Sequence, residues 1–246
     1  MKERLDKELL RRNLASSRER ARALILAGQV IVDEQRVDKA GAQVAADADI
    51  RIKGQDIAYV SRGGLKLEKA LKEFGVDVRG RVAIDVGAST GGFTDCLLQH
   101  GAAKIYAVDV GYGQLAWQLR EDPRVVNLER CNIRYLSPDR LEDLPAIAVI
   151  DASFISLEKV LPNTLELLAD EARIVALIKP QFEVGKGRVG KGGVVRDSEM
   201  HAAVIEQVCQ TVETLGCEIM GVVESPILGP KGNREFLLYF KKGNPL

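Results

Sequence analysis

From Arg81 to Phe240 the chain alternates short apolar runs with stretches of helical period, and this alternation restricts the fold more than any other feature. Strands are expected at Val82–Val86, Ile105–Val110, Val125–Leu128, Ile147–Asp151 and Ile174–Lys179. Helices fill the gaps, the clearest at Gly92–His100, Leu157–Leu168 and Ser198–Leu215. Five such strands with helices between them predict a parallel sheet with right-handed crossovers. Two further runs, Ile219–Glu224 and Glu235–Phe240, are separated by a Pro/Gly-rich loop, Ser225 to Asn233, with no helix. They predict an antiparallel pair at the sheet edge. The expected class is α/β, with a seven-stranded, mainly parallel sheet whose last strand is antiparallel.

The first 58 residues follow another pattern. Leu5, Leu9 and Leu10 recur at helical spacing, and Ser16 or Ser17 caps a second helix that carries Ala21, Leu24 and Ile25 and ends at Gly28. Val30-Ile31-Val32, Val44 and Ile50-Arg51-Ile52 then read as short strands around turns. Two helices and a small sheet make a marginal core, so this α+β unit is expected to serve a larger partner domain. The predicted boundaries are a small domain over 1–58, a linker over 59–64 and the α/β domain over 65–246.

Formal net charge is zero, but its distribution is uneven. Residues 2–22 carry an excess of four positive charges, with Arg4, Arg11, Arg18, Arg20 and Arg22 among them. Residues 179–196 carry another excess of four, including Lys186, Arg188 and Lys191. Two basic patches on a neutral chain point to a polyanion bound at defined places. The four cysteines form no CxxC pair, and the two histidines have no ligand-spaced partner. Reduced thiols, a cytoplasmic location and no metal are expected. No apolar run is long enough to span a bilayer, and the charged N-terminus does not read as a signal peptide.

Asp85-Val86-Gly87-Ala88-Ser89-Thr90-Gly91-Gly92 follows the first predicted strand of the α/β region and opens a helix. Ligands of open α/β sheets lie at the carboxyl ends of the strands, and glycines there let backbone approach a ligand. The spacing is not G-x-G-x-x-G, which disfavours a pyrophosphate cradle. Asp109 ends the second strand, where a carboxylate can accept hydrogen bonds from both hydroxyls of a ribose. Asn132 follows the third, where an amide can read an adenine edge. Five βα units closed by a β-hairpin resemble the S-adenosylmethionine-dependent methyltransferase fold, whereas a dinucleotide-binding domain has a parallel sixth strand. The expected cofactor contacts are Asp85, Gly87, Ala88, Ser89, Gly91, Gly92, Phe93, Asp109, Val110, Asn132 and Ile133. Gly185 to Gly192 nearly spells a phosphate-binding P-loop, but Gly192 replaces the magnesium-binding Ser or Thr. It reads instead as a mobile basic loop beside the site, contacting RNA phosphates.

Asp151 and Lys179 end the fourth and fifth strands and share the cofactor rim. Lys66 lies early in a helix whose face is Leu67, Ala70, Leu71 and Phe74, and Glu235 starts the last strand. If that strand is antiparallel, its start lies on the same rim, and two lysines and two carboxylates converge. A ribose hydroxyl is a poor nucleophile, and a lysine whose pKa is lowered by a neighbouring lysine can accept its proton. Carboxylates orient the amines and keep the cluster near neutral.

The segments DVGASTGGFT (85–94), DVGYGQL (109–115), DASFISL (151–157), KPQFEVGK (179–186) and GPKGNRE (229–235) resemble the TlyA family, whose members are called haemolysins or ribosomal-RNA 2′-O-methyltransferases. A wider similarity is to the FtsJ-type 2′-O-methyltransferases. Leu5-Asp6, Leu14 to Arg18 and Gly28-Gln29-Val30 resemble the S4 RNA-binding domain that this family carries. The resemblance spans nearly the whole chain. It implies a catalytic tetrad at Lys66, Asp151, Lys179 and Glu235, S-adenosylmethionine as cofactor, and a cytidine ribose in ribosomal RNA, free or in a ribosomal subunit, as target. Three other classes are weighed. A pore-forming haemolysin lacks a membrane-inserting segment, a noncatalytic RNA-binding module does not need the tetrad, and an NAD-dependent oxidoreductase fails on glycine spacing and on the terminal hairpin.

Overall fold

Leu5 and Leu9 stand one helical turn apart and are fully buried, which is why the first helix forms where it does. The structure, a computed structural model, describes residues 2–12, 14–33, 35–45, 48–52, 58–185, 189–190 and 192–243. The chain divides into two compact units, 1–58 and 59–246.

In the first unit β1 (Lys2–Arg4) runs into α1 (Leu5–Arg11), and α2 (Arg18–Leu26) follows. Ser17 caps α2, its Oγ accepting from the Arg20 amide at 3.1 Å, and Gly28, at φ +66°, turns the chain away. Then come β2 (Val30–Val32), β3 (Gln35–Arg36), β4 (Gln43–Ala45) and β5 (Ile50–Ile52). β2 pairs antiparallel with β3 and β5, and β1 pairs antiparallel with β4. Leu5, Leu9, Leu24, Ile25, Val30 and Ile50 form the core. Leu10, expected with the other leucines, is exposed because it stands about 100° round the helix from Leu9. β1 had no sequence signal: Lys-Glu-Arg offers no apolar alternation, and only the pairing with β4 defines it.

The second unit contains α3 (Gly63–Phe74), β6 (Val82–Val86), α4 (Gly92–Gln99), β7 (Lys104–Val108), α5 (Trp117–Arg120), β8 (Val125–Leu128), β9 (Ile147–Ile150), α6 (Leu157–Glu166), β10 (Ala172–Ile178), α7 (Pro180–Glu183), α8 (Ser198–Thr214), β11 (Cys217–Glu224) and β12 (Phe236–Lys242). Among the described residues these strands form one seven-stranded sheet in the order β11-β12-β10-β9-β6-β7-β8. β12 is antiparallel to both its neighbours, so β11 runs with the parallel set and forms the edge. The sequence explains the swap: Phe236 to Phe240 is buried at every position, as an inner strand requires, while β11 is only partly covered. The segment 59–64, expected as a linker, lies in the second unit. Tyr59 is buried there, and α3 begins at Gly63.

Candidate active site

The chain leaves β6 toward β7 and β8 on one side and later returns to β9 and β10 on the other. That reversal is the switch point where open α/β sheets bind ligands. The turn after β6 is tight. Gly87 has φ +85°, and a Cβ on it would stand 2.8 Å from the Asp151 carbonyl oxygen. Only glycine lets the turn lie against the end of β9. Ser89 also has positive φ, +49°, and its amide donates to Asp109 Oδ2 at 2.7 Å. The Gly111 amide donates to Asp109 Oδ1, also at 2.7 Å. Asp109 therefore fastens the turn, and each carboxylate oxygen keeps acceptor capacity for a ligand hydroxyl.

Ser89, Asp109, Val110, Asn132 and Ile133 line a cavity of about 420 Å³ beside β7. Asn132 Oδ1 accepts from the Arg134 amide at 3.1 Å, and its amide NH₂ has no acceptor among the described residues. A carboxylate, an amide and two aliphatic side chains suit a nucleoside: polar groups for ribose and base edge, apolar walls for the base. Asp85 and Gly91 line no part of this cavity or of its neighbour. Gly91 caps α4 in a left-handed conformation. Asp85 is fully buried beneath the turn, its Oδ2 accepting from the Thr94 hydroxyl at 2.6 Å. Burial, opposed by that bond and aided by the charges of Asp151 and Asp109, pushes its carboxyl up to about 7.

A second cavity, of about 470 Å³, adjoins the first along Gly87, Ser89, Asp151 and Ser153. Ala88, Gly92 and Phe93 of the turn face this second space. Its walls also carry Lys66, Lys179 and Glu235. Lys66 Nζ stands 2.6 Å from Glu235 Oε2 and 3.8 Å from Asp151 Oδ2. Lys179 Nζ stands 2.5 Å from Asp151 Oδ1 and donates to Ser153 Oγ at 2.7 Å. Charges alternate along the chain Glu235, Lys66, Asp151, Lys179, so the buried cluster is neutral overall. The antiparallel register explains how residues so distant in sequence meet. Ile178 pairs with Phe236, which sets Lys179, one residue past β10, beside Glu235, one residue before β12.

Sequence reasoning missed three parts of this cluster. Ser153 bonds Lys179; its only sequence signal is its place two residues after Asp151. Gly229 packs against the Glu235 carboxylate, where a Cβ would fall 2.0 Å from Oε1. Asn233, nearly inaccessible, accepts from the Val195 amide at 3.1 Å and donates to the Gly193 carbonyl at 3.0 Å. It thereby ties the Gly-rich loop after β10 to the loop that carries Glu235. Phe154 was also overlooked. It lines the nucleoside-shaped cavity, has φ +64° and packs against Phe182 with ring centroids 5.1 Å apart and planes tilted by 49°.

Of the residues expected at RNA, Arg4, Arg11, Arg18 and Arg22 are ion-paired within the first unit, and Arg20 lies half-buried on α2. Lys186, Arg188 and Lys191 lie outside the described residues. All four cysteines are free thiols.

Residues 59–242 match the FtsJ-like methyltransferase family, and residues 3–50 match the S4 domain. A SAM-dependent methyltransferase from Aquifex aeolicus superposes with a TM-score of 0.53 at 21% identity, over 74% of this chain and 94% of that one, which shows the shared fold. The chain thus belongs to the FtsJ-like methyltransferases, with an S4 domain ahead of the transferase domain. It is 48% identical to the 16S/23S rRNA (cytidine-2'-O)-methyltransferase TlyA of Mycobacterium tuberculosis, over 97% of this chain and 89% of the relative. A solved Streptococcus thermophilus chain described under the hemolysin name superposes with a TM-score of 0.78 at 46% identity, over 99% of this chain and 90% of that one. Within the FtsJ-like class, the chain is a member of the TlyA family. Among the described residues no helix is long and apolar enough to cross a membrane.

Proposed function

We propose that this methyltransferase moves the methyl group of S-adenosylmethionine to the 2′-hydroxyl of a cytidine in ribosomal RNA, and that the S4 unit helps to dock the RNA. The observation that carries the reading is the shared wall: a nucleoside-shaped cavity meets a second cavity at Asp151 and Ser153, with Lys66, Lys179 and Glu235 around the second. When bound, S-adenosylmethionine supplies a methyl group already activated on a sulfonium. The protein's task is then chiefly to align donor and acceptor, for which effective molarities on the order of 10⁵ M or more are available.

In this reading Asp109 would accept from the ribose hydroxyls of the cofactor, and Val110 and Ile133 would line the space for its base. Lys179, having first given up a proton to solvent, would hold the acceptor oxygen as a neutral amine and take up its proton as the methyl group passes to that oxygen. Asp151 and Ser153 fix the Lys179 amine, and Glu235 fixes Lys66. The name of the Mycobacterium tuberculosis relative supports cytidine in ribosomal RNA as the target.

The test is methyl transfer from labelled cofactor to ribosomal subunits and to bare ribosomal RNA, with the product mapped by mass spectrometry of nucleosides. A 2′-O-methylcytidine made by the wild type is the expected product. A methyl group on a base, or no transfer to any ribosomal RNA, would overturn the proposal.

A further inference from the structure

Asp6 and Glu8 stand two residues apart on α1, and both carboxylates are buried. A carboxylate taken out of water is tolerated only when paired and hydrogen-bonded. Asp6 receives a fork from Arg4, Nε to Oδ1 at 2.9 Å and Nη2 to Oδ2 at 3.1 Å. Oδ2 also accepts from Arg18 Nε at 3.0 Å and Arg22 Nε at 3.3 Å. Glu8 receives a second fork, from Arg11, at 2.8 and 2.5 Å, and accepts from Arg12 Nε at 2.7 Å. Arginines from β1, α1 and α2 thus converge on two acidic floors.

One guanidinium suffices to neutralise one carboxylate. Three on Asp6 leave two positive charges over, so charge balance does not account for the arrangement. The guanidiniums hold the Asp6 carboxyl well below the usual carboxylate range, which keeps the floor ionised. The side chains of Arg4, Arg18 and Arg22 remain 38%, 43% and 49% exposed. Arg18 and Arg22 are held through Nε, and their Nη groups have no protein acceptor among the described residues. Those free edges have the geometry that matches phosphate oxygens. A long side chain fixed before binding loses less rotamer freedom when it binds.

We infer that Asp6 is a positioning residue, which holds Arg4, Arg18 and Arg22 as a fixed array that receives neighbouring backbone phosphates of a folded RNA. This rests on the proposal that the S4 unit docks RNA. It adds that the unit recognises phosphate spacing, not merely negative charge.

Asp6→Asn separates the inference from simple electrostatics, because the two give opposite signs. The substitution removes a negative charge from a basic surface, so an Asp6 that only dilutes charge predicts tighter binding to every RNA. Loss of positioning predicts that full-length Asp6→Asn binds a folded ribosomal-RNA stem-loop about tenfold or more weaker. Polyuridylate of the same length should bind as tightly as to wild type, or tighter. A double variant, Arg18→Lys with Arg22→Lys, keeps the net charge but replaces fixed forks with mobile point charges. It should lose the stem-loop likewise while keeping the salt dependence of polyuridylate binding. Amide hydrogen exchange in α1 and α2 reports whether each variant keeps the fold; if Asp6→Asn melts α1, the lysine pair decides by the same criterion. A wild type that prefers the stem-loop, together with folded variants that keep that preference, overturns the inference alone. A wild type with no preference for the stem-loop overturns the docking reading and the inference with it.

Discussion

Lys179→Ala is expected to bind cofactor and RNA nearly as the wild type does and to turn over roughly 10²-fold more slowly, read by single-turnover methylation at saturating cofactor and RNA. Lys179→Arg should not restore the rate, because a guanidinium, unlike a lysine amine, cannot cycle through a neutral form at usable pH, and its planar fork does not match the single Nζ held between Asp151 Oδ1 and Ser153 Oγ. An arginine variant at near wild-type rate would reduce Lys179 to an electrostatic role. Asp85 gives a pH test. Its carboxyl is raised from 3.8 to about 7, so the folded state holds its proton where the unfolded chain has released it. Its contribution to stability is complete below about pH 4 and is lost as pH rises through about 7. Asp85→Asn should remove that decline, as measured by denaturant unfolding of the two proteins from pH 4 to 8; parallel curves would show that the buried carboxyl is not its source. Asp109 stands just past the end of β7, where the sequence places a ribose partner. The structure adds its bonds to the Ser89 and Gly111 amides, so Asp109→Ala disturbs the turn as well as any ligand.

At the scale of elements, the loop from Ser225 to Arg234 does more than join two strands. It presses Gly229 onto the Glu235 carboxylate and anchors Asn233 to the loop after β10. Gly229→Ala should push the carboxylate away from Lys66 and lower turnover by roughly 10²-fold, the order of loss for a displacement of about 1 Å in a reacting array. Cofactor affinity by calorimetry should hardly change, because the cavity with Asp109 and Asn132 does not include Gly229. Equal turnover in the alanine variant would mean that Glu235 does not need its position. Helices α2, α6 and α8 were legible because their signals are local: Ser17, Ser156 and Asp197 cap them with side-chain oxygens, and apolar stripes fix the buried faces, whereas the one-turn helices α5 and α7 carry no such stripe. Several strand ends fell one or two residues away from expectation. Asp109, Asp151 and Lys179 follow their strands and stand on the rim, and the Asp109 and Asp151 amides still donate to the Leu128 and Val86 carbonyls of the neighbouring strands.

At the scale of the whole molecule, removing residues 1–58 should leave cofactor binding intact and abolish methylation of structured ribosomal RNA. A truncated enzyme that methylates its RNA at full efficiency would take the docking role from the first unit. The sequence alone determined the class of sheet, the glycine turn and the residue types at the strand ends, because periods of 2 and 3.6 and turn chemistry are properties of neighbouring residues. Strand direction also assigned Asp151, Lys179 and Glu235 to one rim, and the family resemblance added Lys66, which lies in a helix, to that set. Only the tertiary structure decided that β12 slips between β10 and β11, which sets Glu235 beside Lys179. It alone joined Ser153 to Lys179, Asn233 to Val195 and three arginines to Asp6. The reason is physical. Strand order and buried polar partners depend on hydrogen bonds between segments distant along the chain, and no local period records which distant group will satisfy a given donor or acceptor.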